Sequence, residues 1–314
     1  MQKLSIVIPI YNEAENLPEL FQEIKSSLAS LGADYEIIAV NDGSTDNSFN
    51  VLKSLATADA KIKVISFSRN FGQTAALSAG FVHASGEVII PLDADLQNDP
   101  HDIPLLLAKL SEGYDIVSGW RKNRQDKLIS RKIPSRLANS LIGKITKVKL
   151  HDYGCTMKAY KRESLAPVRL YGEMHRFIPA LAAWHGAKIT EVVTNHRPRK
   201  FGQTKYGIRR TFKVILDLLT VKFLTDYSTK PMHFFGKAGF YSFSLAFLSG
   251  FLAVYLRLFH HISLIITPLP LLTVFLMLVG LQFILMGLLA EMITRTYYET
   301  QNKPTYFIKE KINF

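Results

Sequence analysis

The chain has 314 residues, 48% of them apolar, with 38 Lys+Arg against 26 Asp+Glu and a formal net charge of +12. That apolar fraction excludes a disordered chain, and a mean hydropathy of +0.10 is slightly greasy for a wholly soluble one. The length suits about two domains. The pI near 9.6 calls for a polyanionic partner: nucleic acid, anionic lipid or a phosphorylated substrate. One cysteine, Cys155, excludes an intrachain disulfide and a cysteine-based zinc site. It reads as a packed side chain and fits a reducing compartment.

The first residues, MQKLSIVIPIYNE, do not read as a signal peptide, because the apolar run is short, carries Pro9 and has no small-residue cleavage site. Short Ile- and Val-rich runs at 4–9, 35–40, 62–67, 88–92 and 115–118 predict strands. Helical stretches at 16–31, 47–55, 74–83 and 103–110 lie between them, and Pro18 suits the first turn of the first. This alternation predicts an α/β fold: a Rossmann-like, mostly parallel sheet with flanking helices, whose ligands bind beyond the carboxyl ends of the strands.

Three of those strand ends carry acids. Strand one runs into Tyr11-Asn12-Glu13, strand two into Asn41-Asp42-Gly43-Ser44-Thr45-Asp46, and strand four into Asp93-Ala94-Asp95-Leu96-Gln97. Like charge accumulated on one sheet edge calls for a metal ion, sugar hydroxyls or a nucleotide. Two carboxylates at i and i+2 just past a buried strand reach one divalent cation. Asp93 and Asp95, with Gln97 as a further oxygen, are therefore metal-ligand candidates for Mg²⁺ or Mn²⁺, with diphosphate oxygens completing the shell. Asp42, at a strand tip, is placed to accept a hydrogen bond from a nucleobase or ribose, whereas Asp46 reads as a helix cap. Phosphate-loop, dinucleotide-fingerprint and His-Glu-x-x-His motifs are absent from the sequence.

Farther along, residues 208–235 place Phe212, Ile215, Leu216, Leu219 and Phe223 on one helical face, with Arg209, Arg210, Lys213 and Lys222 adding positive charge. That is the pattern of an amphipathic helix on an anionic membrane surface. Ala238 to Leu256 are uncharged, and no Asp, Glu, Lys or Arg lies between Arg257 and Glu291. A bilayer core needs about 20 apolar residues, so two transmembrane helices are predicted, at 236–259 and 270–290. Lys and Arg concentrate before the first span and after the second, which puts both chain ends in the cytoplasm and the connecting loop outside. The predicted domains are a catalytic domain over 1–206, amphipathic juxtamembrane helices over 207–235, the helix pair over 236–290, and a cytoplasmic tail over 291–314.

The segments Ser5-Ile6-Val7-Ile8-Pro9-Ile10-Tyr11-Asn12-Glu13, Asn41-Asp42-Gly43-Ser44 and Asp93-Ala94-Asp95-Leu96-Gln97 resemble those of family 2 glycosyltransferases with the GT-A fold. Further matches are Arg69-Asn70-Phe71-Gly72-Gln73, Gly119-Trp120-Arg121, Asp152-Tyr153-Gly154-Cys155 and the stretch from Arg199 through Lys205 to Tyr206. With the two C-terminal spans, they make the chain similar to the polyprenyl-phosphate glycosyltransferases over nearly its whole length. These include dolichol-phosphate mannose synthase, bactoprenol glucosyltransferases and the undecaprenyl-phosphate formamido-arabinose transferase.

The resemblance implies transfer of a sugar from a nucleotide-sugar donor to polyprenyl phosphate at the cytoplasmic face of the inner membrane, with inversion at the anomeric carbon. It places Pro9, Tyr11, Glu13, Asp42, Asp93, Ala94 and Asp95 around the nucleotide sugar, and Arg199 and Lys205 on its diphosphate, where positive charge steadies the leaving group. Gly202 lets their loop close. Arg121, Arg131 and Arg136 are the acceptor-phosphate candidates. Asp152 matches a position of a base or orienting carboxylate, and orientation is favoured because the acceptor phosphate is already anionic. UDP-glucose on undecaprenyl phosphate is the first expectation for the donor, ahead of a UDP-formamido-arabinose and GDP-mannose. The resemblance leaves room for a homo-oligomer.

Three rivals are weaker. A processive polysaccharide synthase carries a Gln-x-x-Arg-Trp motif and more spans. A non-catalytic membrane-anchored binding protein has no need of intact Asp42, Asp93, Asp95 and Arg199. A nucleic-acid binder suits the pI, but the basic residues gather next to the spans and the phosphate sites, and no nucleic-acid module is recognisable.

Overall fold

The computed structural model describes residues 3–122, 139, 142–143, 146–168, 170, 174–198, 231–300 and 306–314. The chain forms two units: Met1–Val221 with Pro304–Phe314, and Lys222–Lys303. Of the amphipathic segment expected over 208–235, residues 208–230 lie outside the described residues, as do the site residues Arg131, Arg136, Arg199 and Lys205, and its last five residues open the first of two long helices.

The first unit is built on a sheet of β1 (Leu4–Ile10), β2 (Tyr35–Asn41), β3 (Ile62–Phe67), β4 (Val88–Pro91), β5 (Ile116–Trp120), β6 (Lys158–Lys161), β7 (Ile189–Val193) and β8 (Ile308–Ile312). Their order is β7-β5-β6-β4-β1-β2-β3-β8. β1 pairs in parallel with β2 and β4, and β2 with β3. β6 is antiparallel between β4 and β5, and β8 is antiparallel on β3. The mostly parallel sheet is thus as expected, with β6, β7 and β8 added to the five strands legible in the sequence.

The central strands β1 and β4 are mostly apolar because helices cover both faces. In β1, Leu4, Ile6, Val7, Ile8 and Ile10 are all buried. The covering helices are α1 (Leu17–Leu31), α2 (Ser48–Ala58), α3 (Gln73–His83) and α4 (Ile103–Ser111), followed by the shorter α5 (Arg162–Leu165) and α6 (Ile178–Trp184). On α1, Leu17, Leu20, Phe21, Ile24 and Leu28 share the buried face, each contributing about 1.5–3 kcal/mol on burial. Pro18 does stand in its first turn, and the helix stops at Gly32, whose left-handed φ of 60° lets its N–H reach Ala29 O. At the amino ends of the strands, buried Glu36 accepts from Ser5 and Ser85 and pairs with Lys63 at 2.8 Å. Burial opposes its charge, but Lys63, Ser5 and Ser85 outweigh it and hold the carboxyl down at about 2.

The second unit is a pair of long helices, α7 (Pro231–Phe259) and α8 (Leu269–Thr300). Phe234–Phe259 and Leu269–Ala290 are long and apolar enough to cross a membrane. Their large side chains point outward, with Phe251 72% and Leu271 76% exposed, the reverse of a soluble core helix. The two helices meet on small residues. A Cβ on Gly239 would stand 3.0 Å from Gly280 O, and one on Gly280 3.2 Å from Gly239 O. Ser242 Oγ donates to Leu276 O at 2.7 Å and Ser249 Oγ to Leu269 O at 3.2 Å, the interhelical bonding that apolar surroundings favour. α8 runs past the expected end of the span at 290, and the segment expected as a plain tail ends in β8.

Candidate functional site

The chain passes from β1 to β2 and β3 on one side and then returns to place β4 on the other side of β1. This reversal opens a crevice at the carboxyl ends of these strands, and the acidic strand ends gather there. The turn after β1 is tied to the turn after β2: Asn12 N donates to Ser44 Oγ at 3.0 Å, Thr45 N to Asn12 Oδ1 at 2.8 Å, and Glu13 N to Ser48 Oγ at 2.9 Å. Asn12 takes a left-handed φ of 54° to make this turn, which asparagine tolerates. Pro9 stands opposite Val40, one pair before the parallel register of β1 ends, and Tyr11 and Glu13 line the crevice half-buried. Asp46 takes the amides of Ser48 and Ala14, at 3.0 and 3.2 Å.

Asp42 is 3% exposed, and its carboxylate organises the loop after β3. Phe71 N donates to Oδ1 at 2.7 Å, while Gly72 N and Asn70 Nδ2 donate to Oδ2 at 2.9 and 3.0 Å. Burial raises the Asp42 pKa, against the pull of the two amides. The approach of the two loops requires Gly43: at its φ of +64°, a Cβ would stand 2.3 Å from the carbonyl carbon of Arg69.

Gln73, at the start of α3, donates through Nε2 to Asp93 Oδ1 at 2.9 Å. Asp93 is half-buried, Ala94 is 4% and Asp95 8% exposed. Burial, and then the charge of Asp95, pushes the Asp93 carboxyl up to about 6, opposed by a hydrogen bond from Thr156 and by Arg121 and Lys158. Leu96 turns the chain with a left-handed φ of 58°, uncommon for leucine. Gln97 is bonded to the segment after β7: Arg197 N donates to Gln97 O at 2.9 Å, and the Gln97 side chain donates through Nε2 to Arg197 O at 3.4 Å. Arg197 is clamped by Glu23 and Asp99, at 2.8 and 2.7 Å. The chain that leads into Arg199 therefore starts beside the Asp93–Gln97 loop.

Arg121, just past β5, forms a fork with Asp152: Nε to Oδ2 at 2.7 Å and Nη2 to Oδ1 at 3.0 Å. Gly154 N also donates to Asp152 Oδ1, at 3.0 Å. Two of the five guanidinium N–H groups are thereby committed to Asp152. Burial works against the Arg121 charge, but the neighbouring carboxylate raises its pKa further. Gly154 lies between two cations, since a Cβ there would stand 3.3 Å from Arg121 Nη2 and 3.6 Å from Arg176 Nη1. Cys155 is fully buried, as a packed side chain.

Three groups here were not singled out by the sequence. Lys158 on β6 is 2% exposed and donates to the carbonyls of Cys155 and Tyr153. Burial lowers its pKa. Arg176 approaches the same glycine as Arg121. His175 Nδ1 and Thr74 Oγ1 share a buried hydrogen bond of 2.7 Å. Among the described residues, no three His, Cys, Asp or Glu side chains cluster as a self-sufficient metal site. The arrangement offers a carboxylate pair facing arginine and lysine cations, suited to two anionic reactants.

The family model described as glycosyl transferase family 2 matches residues 5–168. Over 98% of this chain and 92% of the relative, it is 44% identical to dodecaprenyl-phosphate galacturonate synthase from Rhizobium johnstonii. Over 99% of this chain and 94% of the relative, it is 39% identical to undecaprenyl-phosphate 4-deoxy-4-formamido-L-arabinose transferase from Klebsiella pneumoniae. The chain belongs to glycosyl transferase family 2. It is a glycosyltransferase, and its full-length relatives are polyprenyl-phosphate sugar transferases, the group its motifs resemble. A solved structure of glucosyl-3-phosphoglycerate synthase from Mycobacterium tuberculosis shares the fold of the glycosyltransferase, with a TM-score of 0.56 and 20% identity over 70% of this chain and 80% of that one.

Proposed function

We propose that this glycosyltransferase moves a sugar from a UDP-sugar to the phosphate of a polyprenyl phosphate, and that the sugar is galacturonic acid. The observation that carries the reaction is the Asp93 carboxyl beyond β4, which feels the charges of Asp95, Arg121 and Lys158. The donor choice draws support from the 44% identical relative named for galacturonate. A formamido-arabinose is the second reading, favoured by the 39% identical relatives. UDP-glucose, the first expectation from sequence, finds no support among these full-length relatives.

The donor set fits a divalent cation. Asp93 and Asp95 supply hard oxygens, and the upward push that Asp95 exerts on the Asp93 carboxyl is the repulsion a cation would relieve. The related fold of glucosyl-3-phosphoglycerate synthase is known with Mn²⁺ and UDP. Asp93 and Asp95, with Gln97 near them, would hold the ion, which when bound neutralises charge on the departing diphosphate. Pro9, Tyr11, Glu13, Asp42 and Ala94 line the nucleotide-sugar side, and Arg199 and Lys205 take the diphosphate. Arg121, Arg131 and Arg136 receive the acceptor phosphate. An acceptor phosphate oxygen attacks the anomeric carbon as the bond to the diphosphate breaks, UDP leaves with the electron pair, and the configuration inverts. The nucleophile is already anionic, so no proton passes to the enzyme, and Asp152 orients Arg121 instead of acting as a base.

In this reading α7 and α8 cross the membrane. The chain leaves the first unit before α7 and returns to it as β8 after α8, which requires an even number of crossings. The positive flanks put that unit in the cytoplasm, where the lipid phosphate is met at the bilayer surface. The test is a parallel assay in detergent with undecaprenyl phosphate and UDP-galacturonic acid, UDP-formamido-arabinose or UDP-glucose. We expect label in the lipid extract from UDP-galacturonic acid, abolished by a chelator. Label from another donor alone would overturn the sugar assignment.

A further inference from the structure

The returning chain joins the sheet at the edge where the nucleotide would bind. Because β8 is antiparallel to β3, its leading residues lie beside the last residues of β3, with Ile308 opposite Phe67 across a bulge. Tyr306, 6% exposed, stacks on Phe67 with ring centroids 5.1 Å apart and planes at 18°. Phe67 meets Phe71 edge-on at 5.6 Å, and Phe71 lies 6.2 Å from Phe307. The Arg69 guanidinium covers the Phe71 ring at 4.2 Å, and Ser68 N donates to Phe307 O at 3.3 Å.

Phe71 and Gly72 are the residues whose amides hold the Asp42 carboxylate. Residues 68–72 belong to no helix or strand, so their order rests on the hydrogen bonds to Asp42 and on side-chain packing. The aromatic cluster supplies that packing, and two of its rings come from the far end of the chain. We propose that Tyr306 and Phe307 are positioning residues for the donor: Tyr306 backs Phe67, which with Phe307 holds the Phe71 ring, so that the loop amides fix Asp42 for the nucleotide. This rests on the reading of Asp42 as part of the nucleotide pocket. It also gives β8 a purpose beyond covering the edge of β3, because the strand that follows the helix pair then completes the donor site.

The other end of the strand provides a control. Asn313 Nδ2 donates to Ala56 O and Ile62 O, both at 2.8 Å, anchoring β8 far from the Phe71 loop. The experiment uses the full-length protein in detergent, with UDP binding in the presence of Mn²⁺ measured by calorimetry, donor KM and kcat measured at saturating undecaprenyl phosphate, and melting temperature alongside. We expect Tyr306→Leu and Phe307→Ala to weaken UDP binding and raise donor KM by about fivefold to tenfold, with kcat changed less than about twofold. Tyr306→Phe keeps the stacked ring and should bind UDP as the wild type does. Asn313→Ala should lower the melting temperature without weakening UDP binding. Unchanged UDP binding in Tyr306→Leu and Phe307→Ala would overturn the proposal, as would an equal loss in Asn313→Ala. A wild type that binds no UDP would overturn the nucleotide-pocket reading itself, and this proposal with it.

Discussion

Replacing Asp93 by Asn is expected to stabilise the ion-free protein while abolishing transfer. Burial and the Asp95 charge hold the Asp93 carboxyl at about 6 against an ordinary 3.8. At about 1.36 kcal/mol per pKa unit, the ionised carboxylate costs the fold on the order of 2–3 kcal/mol. The folded pKa is the raised one, so both states are protonated below the ordinary value and no cost exists there. Between the two values the folded state keeps a proton the unfolded state has lost, and stability falls as pH rises. Above about 6 the whole cost is present. Asp93→Asn removes it, which for a unit of this size corresponds to roughly 5 °C in melting temperature. Calorimetry in detergent with a chelator would show the full gain at pH about 7.5 and about half of it at pH about 5. Added Mn²⁺ should raise the wild-type melting temperature and leave that of the variant unmoved. A variant no more stable than wild type at neutral pH, or a gain that grows on acidification, would refute the reasoning.

Other substitutions test the remaining parts. Asp152→Asn breaks the fork to Arg121 and should slow transfer by about a hundredfold while leaving the shape of the pH–rate profile intact. Loss of the acidic limb of that profile would identify a base. Gly43→Ala puts a Cβ 2.3 Å from the Arg69 backbone, so UDP binding should fall more than about tenfold with the circular dichroism spectrum unchanged. Gly280→Leu should lower the melting temperature of the protein in detergent by forcing α7 and α8 apart, whereas Leu278→Ala, at a position 61% exposed, should not.

The parallel half of the sheet was legible because each βαβ unit is local: an apolar run, turn residues, an amphipathic helix. The acidic strand ends were legible for the same reason, since a carboxylate just past a buried strand has only the sheet edge to occupy. β6 was hidden because it is four residues long, with lysine at both ends. β8, Ile-Lys-Glu-Lys-Ile, carries the charges that edge strands use against aggregation and reads as a solvated tail. The partners of Arg121 and Asp42 depend on contacts across 31 and about 30 residues, which spacing does not reveal. Arg121 was accordingly expected on the acceptor phosphate alone, with no hint of its fork to Asp152. Lys158 and Arg176 went unread because a single cation carries no pattern until the fold sets it beside Asp93 or Gly154.

The most direct test of the central reading is the mass spectrum of the lipid fraction after full-length protein is incubated with undecaprenyl phosphate, UDP-galacturonic acid and Mn²⁺. A new species heavier than undecaprenyl phosphate by one galacturonic acid residue is expected, absent with Asp95→Ala and absent with chelator. A wild-type protein that binds UDP but leaves the lipid phosphate unmodified with every donor tried would contradict it.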